Sequence, residues 1–210
     1  MQSDEPTLAE SPEESLLRAG FALGDDFTGV LRTNLTSDAP RRRVLALRGM
    51  VRQGLVTQSE WLSAIDDNDV DVRREALNLI AYVPQSDEQV LDALRRRLHD
   101  EDALVVDGAI FALGEHLDVV AVDQLCVIAT THDDARCRES AVAALGAIGD
   151  DRARPAILAA LEDKPPVRRR AIVALANFEG PDIDAALERA SEDRDWQVRA
   201  AVNQLGRDED

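Results

Sequence analysis

Apolar and polar positions follow the 3.6-residue period of amphipathic helices along most of this chain, and the pattern itself recurs. One phrase appears as VRREALNLI from Val72, VVDGAIFAL from Val105, CRESAVAAL from Cys137, VRRRAIVAL from Val167 and VRAAVNQL from Val198, with a weaker copy opening at Arg42. The small residues that mark its register, Ala46, Ala76, Ala109, Ala141, Ala171 and Val202, return every 30 to 33 residues. An interval of that size belongs to stacked helical units, each burying its apolar face against the next. Ahead of the phrase stands a second apolar-periodic segment, such as Val90, Leu91, Leu94 and Leu98, or Ile157, Leu158 and Leu161. The pattern predicts an all-α fold, an α-α superhelix or solenoid of six helical pairs at approximately 27–53, 58–82, 86–116, 119–148, 152–178 and 182–207. Leu145 and Leu175 are expected in its core.

Start and stop signals agree with this division. Ser11-Pro12-Glu13-Glu14 has a capping residue, a proline at the first helical position and a glutamate three residues on, so a cap helix should open there. Ser86 with Gln89 reads as a second capping box, and Pro155 and Pro181 sit near helix starts. Asp69, Asp102, Asp134 and Asp195 each stand three residues before the phrase, where a carboxylate can accept orphan backbone N–H groups. Gly146, Gly149 and Gly180 follow apolar runs and are expected just past helix C-termini. Residues 1–10 are acidic with little to bury and are expected to be a disordered tail. Residues 11–207 then form a single repeat domain.

Composition narrows the function. Apolar residues make up 45% of the chain but aromatics only 3%, so the core must be close-packed Ala, Leu, Val and Ile. With 41 acidic against 24 basic residues the net charge is −17, and the only lysine is Lys164. That balance disfavours nonspecific nucleic-acid binding and favours a soluble monomer through self-repulsion. Two origins of the acidity stand side by side: plain solubility, and adaptation to a high-salt cytoplasm. Cys126 and Cys137 fall in apolar slots, where a free cysteine acts as a small hydrophobe. The sequence shows neither a membrane-spanning apolar run nor a signal peptide, so a cytoplasmic protein with no membrane contact is expected.

The phrase Val-Arg-x-x-Ala-x-x-x-Leu, the ALGAIGD run at 144–150 and acidic turns such as Asp66-Asp67-Asn68-Asp69 resemble the HEAT repeat, especially the bacterial and archaeal HEAT-like repeats also found in phycobilin lyases. The resemblance spans about residues 27–207. It implies a right-handed superhelix with first helices on the convex side and second helices on the concave side, the latter usually binding protein. It also implies a ladder between repeats, formed here by Arg43, Arg73, Arg138, Arg168 and Arg199 with acids such as Asp67, Asp100, Asp163 and Asp193. The third unit departs from it, with Val106 where the arginine should be, so that junction is expected to be looser or its face specialised.

Reactive constellations do not stand out. His99 and His132 lie in acidic turns, but a whole repeat separates them and neither CxxC nor HExxH spacing occurs, so no metal is expected. A GxSxG elbow and a phosphate-cradling glycine loop are both missing, and no catalytic residue or cofactor is assigned. Three arginine triplets, 41–43, 95–97 and 168–170, could suggest phosphate binding. The first and third overlap ladder positions, however, and the second falls in the last turns of a helix, where cations complement the dipole.

Function is therefore expected on the inner face. The third, seventh, tenth and eleventh places of the phrase point away from the first-helix partner. They nominate Arg48, Arg52, Asn78, Tyr82, Phe111, Glu115, Asn177 and Gln204, with the adjoining His116, as partner-binding residues. The fourth unit offers only Ala143 and Gly146, which biases the site toward the N-terminal half. The expected function is a noncatalytic scaffold that binds a protein segment in its concave groove. The alternatives are a lyase-like or accessory protein handling a small ligand, and a HEAT-like nucleic-acid binder similar to the helical-repeat DNA glycosylases.

Overall fold

A computed structural model describes residues 11–21, 25–83 and 87–205. The stretch 1–10 expected to be disordered lies outside these residues. Among the described residues the chain is all-α with no strand, a helical-repeat solenoid in class, built of thirteen α-helices. These are α1 (Pro12–Phe21), α2 (Asp25–Leu35), α3 (Pro40–Arg52), α4 (Gln58–Ile65), α5 (Val70–Ile80), α6 (Glu88–Arg97), α7 (Ala103–Glu115), α8 (Val122–Thr131), α9 (Ala135–Ile148), α10 (Arg154–Ala159), α11 (Pro165–Leu175), α12 (Pro181–Ala190) and α13 (Trp196–Leu205). Single 3-10 turns precede α8 and α10 and follow α10. The chain divides into two compact units, Met1–Leu79 and Ile80–Asp210.

In the first unit, α1, α2 and α3 pack around Leu16, Ala19, Leu31, Ala46 and Met50. The box expected at Ser11 is present, with Ser11 N–H donating to Glu14 Oε2 at 2.8 Å and Glu14 N–H to Ser11 Oγ at 3.2 Å. α1 and α3 touch where a Cβ on Gly20 would stand 3.2 Å from Gly49 Cα. Gly54, at φ 67°, turns the chain out of α3, and Thr57 starts α4 in a reciprocal capping box with Glu60.

In the second unit the first helices are α6, α8, α10 and α12 and the second helices are α7, α9, α11 and α13. The second helices stack directly in order, α7 on α9 on α11 on α13. Their buried faces carry Val105, Ala109, Leu113, Cys137, Ala141, Leu145, Val167, Ala171 and Leu175, all at 0 or 1% exposure. Burial of this order makes Leu145 and Leu175 core residues, as the pattern requires.

The caps at the repeated turns are also as expected. Asp69 accepts from Asp71 N–H at 3.0 Å, Asp102 from Leu104 and Val105, Asp134 from Arg136, and Asp195 from Gln197 at 2.8 Å. Three local expectations are corrected. Ser86 lies outside the described residues, and the cap of α6 is Asp87, whose carboxylate accepts from Val90 N–H at 3.1 Å. Gly146 does not end a helix; it is buried inside α9, where it lets the next helix approach. Gly180 stands before a helix, as the residue that starts α12 at φ 137°. Of the three, only Gly149 ends one, at φ 68° after α9.

Candidate functional site

Most charged side chains of the repeats are engaged in structure, and that decides which are left to recognise anything. Arg43, Arg138 and Arg168 each close a bidentate pair on the aspartate of the following turn. Arg43 reaches Asp67 at 2.8 and 2.7 Å, Arg138 reaches Asp163 at 2.6 and 2.7 Å, and Arg168 reaches Asp193 at 2.9 and 2.7 Å. The remaining guanidinium N–H groups hold the arginine's own turn: Arg43 donates to Ser37 O, Arg138 to His132 O and Arg168 to Asp163 O. The aspartates serve two turns at once, since Asp67 also accepts from Asp69 N–H and Asp193 from Asp195 N–H. The Arg138 and Arg168 guanidinium groups hold the Asp163 and Asp193 carboxyls below their ordinary range. The ladder is therefore structural, with side-chain exposures of 5 to 17% across the three pairs.

The third unit is not a loose junction. Val106 is buried, and a different pair ties units three and four: Arg95, near the end of α6, holds Asp118 at 2.7 and 2.8 Å with both residues buried. Its third nitrogen donates to Glu88 and Asp92, each at 2.6 Å. Arg95 is thus a buried clamp rather than a cation placed for the helix dipole. Asp118 also caps the 3-10 turn before α8 by accepting from Val120 N–H.

On the face that the second helices turn away from the first helices, the Ile80–Asp210 unit carries an aromatic pair. Tyr82 is 73% exposed and Phe111 39%, and their rings meet edge to face with centroids 5.9 Å apart. Phe111 opens onto a depression of about 300 Å³ floored by Ala143, Ala144 and Ala147 and edged by Glu115, Glu139 and Ser140. Ser140 Oγ donates to Asp107 at 2.5 Å, and Arg170 reaches Glu139 at 3.6 Å across it. A second depression, of about 370 Å³, lies between α11 and α13 beside Trp196 and Gln204. The face thus pairs exposed aromatic surface with carboxylates over a floor of small residues, an arrangement suited to holding a side chain.

Of the nine residues nominated from the phrase, the six in the Ile80–Asp210 unit are not brought into one cluster. Phe111 and Glu115 line the first depression, Tyr82 packs edge to face on Phe111, and Gln204 lines the second. Arg48, Arg52 and Asn78 belong to the Met1–Leu79 unit, where Arg48 is held by Glu75 at 2.6 and 2.7 Å and Asn78 is exposed. His116 and Asn177 each bond a backbone carbonyl: His116 Nε2 lies 3.1 Å from Ile80 O, and Asn177 Nδ2 donates to Gly146 O at 2.8 Å. Gln53 does the same to Ala19 O at 3.0 Å. In each case a polar side chain just past the end of one helix meets a carbonyl in the last turn of another. Gly146 is buried and does not line the face.

Several groups on this face were not nominated. Asp107, Glu139 and Arg169 occupy the third place of their phrases, the place the helical rule singles out, and Trp196 precedes its phrase altogether. Two exposed apolar residues, Val173 at 48% and Trp196 at 66%, lie in the C-terminal half, so the face is not confined to the N-terminal half.

Among the described residues no three of His, Cys, Asp and Glu converge on a point that could hold a metal ion, and no helix is long and apolar enough to cross a membrane. Cys126 and Cys137 are free thiols. Burial pushes the Cys137 thiol up to about 11, so it is protonated and inert near neutrality.

A family profile described as HEAT repeats matches residues 59–146 and 122–206. No curated protein matches the chain. Among solved structures, YibA of Escherichia coli is similar over 96% of this chain and 75% of its own, at 18% identity and a TM-score of 0.64. A designed armadillo repeat protein in complex with the peptide (KR)4 is similar over 94% of this chain and 98% of its own, at 16% identity and a TM-score of 0.58. Computationally designed armadillo repeat proteins for modular peptide recognition match over 93% and 98%, at 16% identity and a TM-score of 0.56.

Proposed function

Because the chain belongs to the HEAT-repeat family, whose profile spans most of it, we propose that it is a noncatalytic scaffold that binds a protein segment along its second-helix face. The observation that carries this reading is the exposed Tyr82–Phe111 pair beside a depression edged by Glu115 and Glu139. Aromatic rings supply large contact area at low entropic cost, and the carboxylates beside them select cationic side chains. The partner at this position is therefore a basic segment whose Arg or Lys lies against the rings. The designed protein of the same fold in complex with (KR)4 makes that peptide a direct probe. Residues 11–207 would act as one repeat domain, and the net charge of −17 supports a monomer that works in the cytoplasm without self-association.

The test is fluorescence anisotropy of labelled (Lys-Arg)4 against the full chain. Tyr82→Ala and Phe111→Ala should each weaken binding by about fivefold or more, the usual size for an aromatic anchor. Gln124→Ala, on the exposed side of α8, should leave it unchanged. If both aromatic variants are folded and bind as the parent does, this face is not the partner surface.

A further inference from the structure

The second-helix face of the Ile80–Asp210 unit changes charge along its length. Asp107 on α7 and Glu139 on α9 hold the third place of their phrases, and Glu115 adds a further carboxylate. On α11 the third and fourth places are Arg169 and Arg170. The depression between α11 and α13 is lined by Arg169, Arg170, Val173, Trp196, Gln197 and Gln204 over two alanines, and no carboxylate lines it. That is an exception in a chain with 41 acidic residues against 24 basic. Its neighbours Arg138, Arg154 and Arg168 each hold an aspartate, whereas Arg169 has no ion-pair or hydrogen-bond partner among the described residues. Arg170 is aimed by Glu139 toward the boundary between the two depressions, which it lines on both sides.

We propose that this depression receives an acidic stretch of the bound segment, so that the face reads a segment with basic residues over Phe111, Glu115 and Glu139 and acidic residues over Arg169 and Arg170. This deepens the segment-binding reading above and rests on it. The chemistry is local. A guanidinium fork takes a carboxylate bidentately, and two glutamine amides can donate to its remaining lone pairs. The exposed Trp196 ring, at 66%, offers a flat apolar surface to the residue beside that carboxylate. The chain's net charge repels an acidic ligand at a distance, so recognition must come from these contacts and not from long-range steering. Opposite charge at the two ends also fixes direction, since a reversed segment would set like charges together at both positions.

The full chain is titrated with Ac-Glu-Glu-Leu-Glu-Glu-NH2 at 0.15 M salt, following tryptophan emission, and with a fluorescein-labelled copy by anisotropy. Trp61 is 6% exposed, so a change in emission reports Trp196. Binding should saturate, weaken by about tenfold or more in Arg169→Gln, recover in part in Arg169→Lys, and be unaffected by Gln124→Ala. No saturable response, an unchanged affinity in folded Arg169→Gln, or an equal response to inorganic phosphate would overturn the proposal. The two readings separate in the (Lys-Arg)4 arm. Loss of acidic-peptide binding alone removes the receptor at Arg169, whereas failure of (Lys-Arg)4 with intact Arg169-dependent binding removes the basic end alone.

Discussion

A Cβ placed on Gly146 would stand 2.6 Å from the Cβ of Ala174 and 2.8 Å from its Cα, so α9 and α11 meet with only the Ala174 methyl between them. The same relation recurs one repeat earlier, where a Cβ on Gly114 would lie 2.9 Å from Ala144 Cβ. The tenth place of one phrase faces the eighth place of the next, and the stack spacing in this unit is set by those two small residues.

Gly146→Ala should therefore destabilise the chain, although alanine is the better helix former. The propensity gain is about 1 kcal/mol, while inserting a methyl into a packed contact costs about 1–3 kcal/mol and here meets backbone atoms that cannot rotate away. A net loss of about 1 kcal/mol is expected in urea melts, with a smaller loss for Gly114→Ala. Ala174→Gly should not add its full cost when combined with Gly146→Ala, because it reopens the space. A Gly146→Ala variant more stable than the parent would mean that the helices are not in contact there.

How much was legible follows from what each residue touches. Ala46, Ala76, Ala109, Ala141 and Ala171 are all fully buried, because the position facing both neighbours recurs with the repeat and so can be read as a period. Val202, on α13, is only partly buried. The aspartate caps are equally local and equally readable. Gly146 was misread because a glycine in an apolar run can serve either a left-handed turn or a close approach, and only the partner helix decides which. Arg95 was misread because its partner, Asp118, lies 23 residues on and carries no repeat signature. Tyr82 and Phe111 follow from helical phase alone. Trp196 lies outside the phrase, and His116 and Asn177 look like groove residues until the carbonyls they satisfy are seen.

The ladder makes stability fall in acid. Asp163 and Asp193 have folded-state pKa values below the unfolded value of about 3.9, held there first by the hydrogen bonds from Arg138 and Arg168. A depressed carboxyl contributes stability that is complete above the unfolded value and is lost as pH falls through the folded one. Thermal melts should thus show a stability plateau above about pH 5 and a steep fall below about pH 4. In Arg168→Gln the fall should be shallower and the plateau lower by about 1–3 kcal/mol, since Asp193 then lacks its partner. A variant with the parent's plateau and acid limb would show that the pair contributes nothing.

Leu117 is the one non-glycine residue at positive φ among the described residues, at 50°, where it ends α7 with Leu117 N–H donating to Gly114 O and Asp118 N–H to Leu113 O, both at 3.0 Å. The same turn after α3 uses Gly54, at φ 67°. A leucine in the left-handed region costs about 1–2 kcal/mol, and at 56% exposure its side chain recovers little by packing. Leu117→Gly should stabilise the fold by about 0.5–1 kcal/mol after glycine's greater unfolded-state entropy is subtracted. Destabilisation in denaturant melts would instead mean that the side chain packs usefully in the native state.

Two electrostatic effects in this chain oppose each other and respond differently to salt. An excess of 17 negative charges repels itself across the surface and weakens the compact state, whereas the ladder pairs strengthen it. Screening acts mainly on the first. The pairs are bidentate, at 2.6 to 2.9 Å and with side-chain exposures of 5 to 17%, far inside any screening length, while the unpaired surface carboxylates interact over distances comparable to it. That length falls from ~8 Å at physiological ionic strength to ~3 Å at 1 M. The melting temperature should therefore rise between these two salt concentrations, and a flat or falling value would mean that repulsion is not a significant term. Screening is nearly exhausted at 1 M, so a rise that continues into multimolar potassium chloride would need a different cause. It would favour adaptation of the acidic surface to a high-salt cytoplasm over plain solubility.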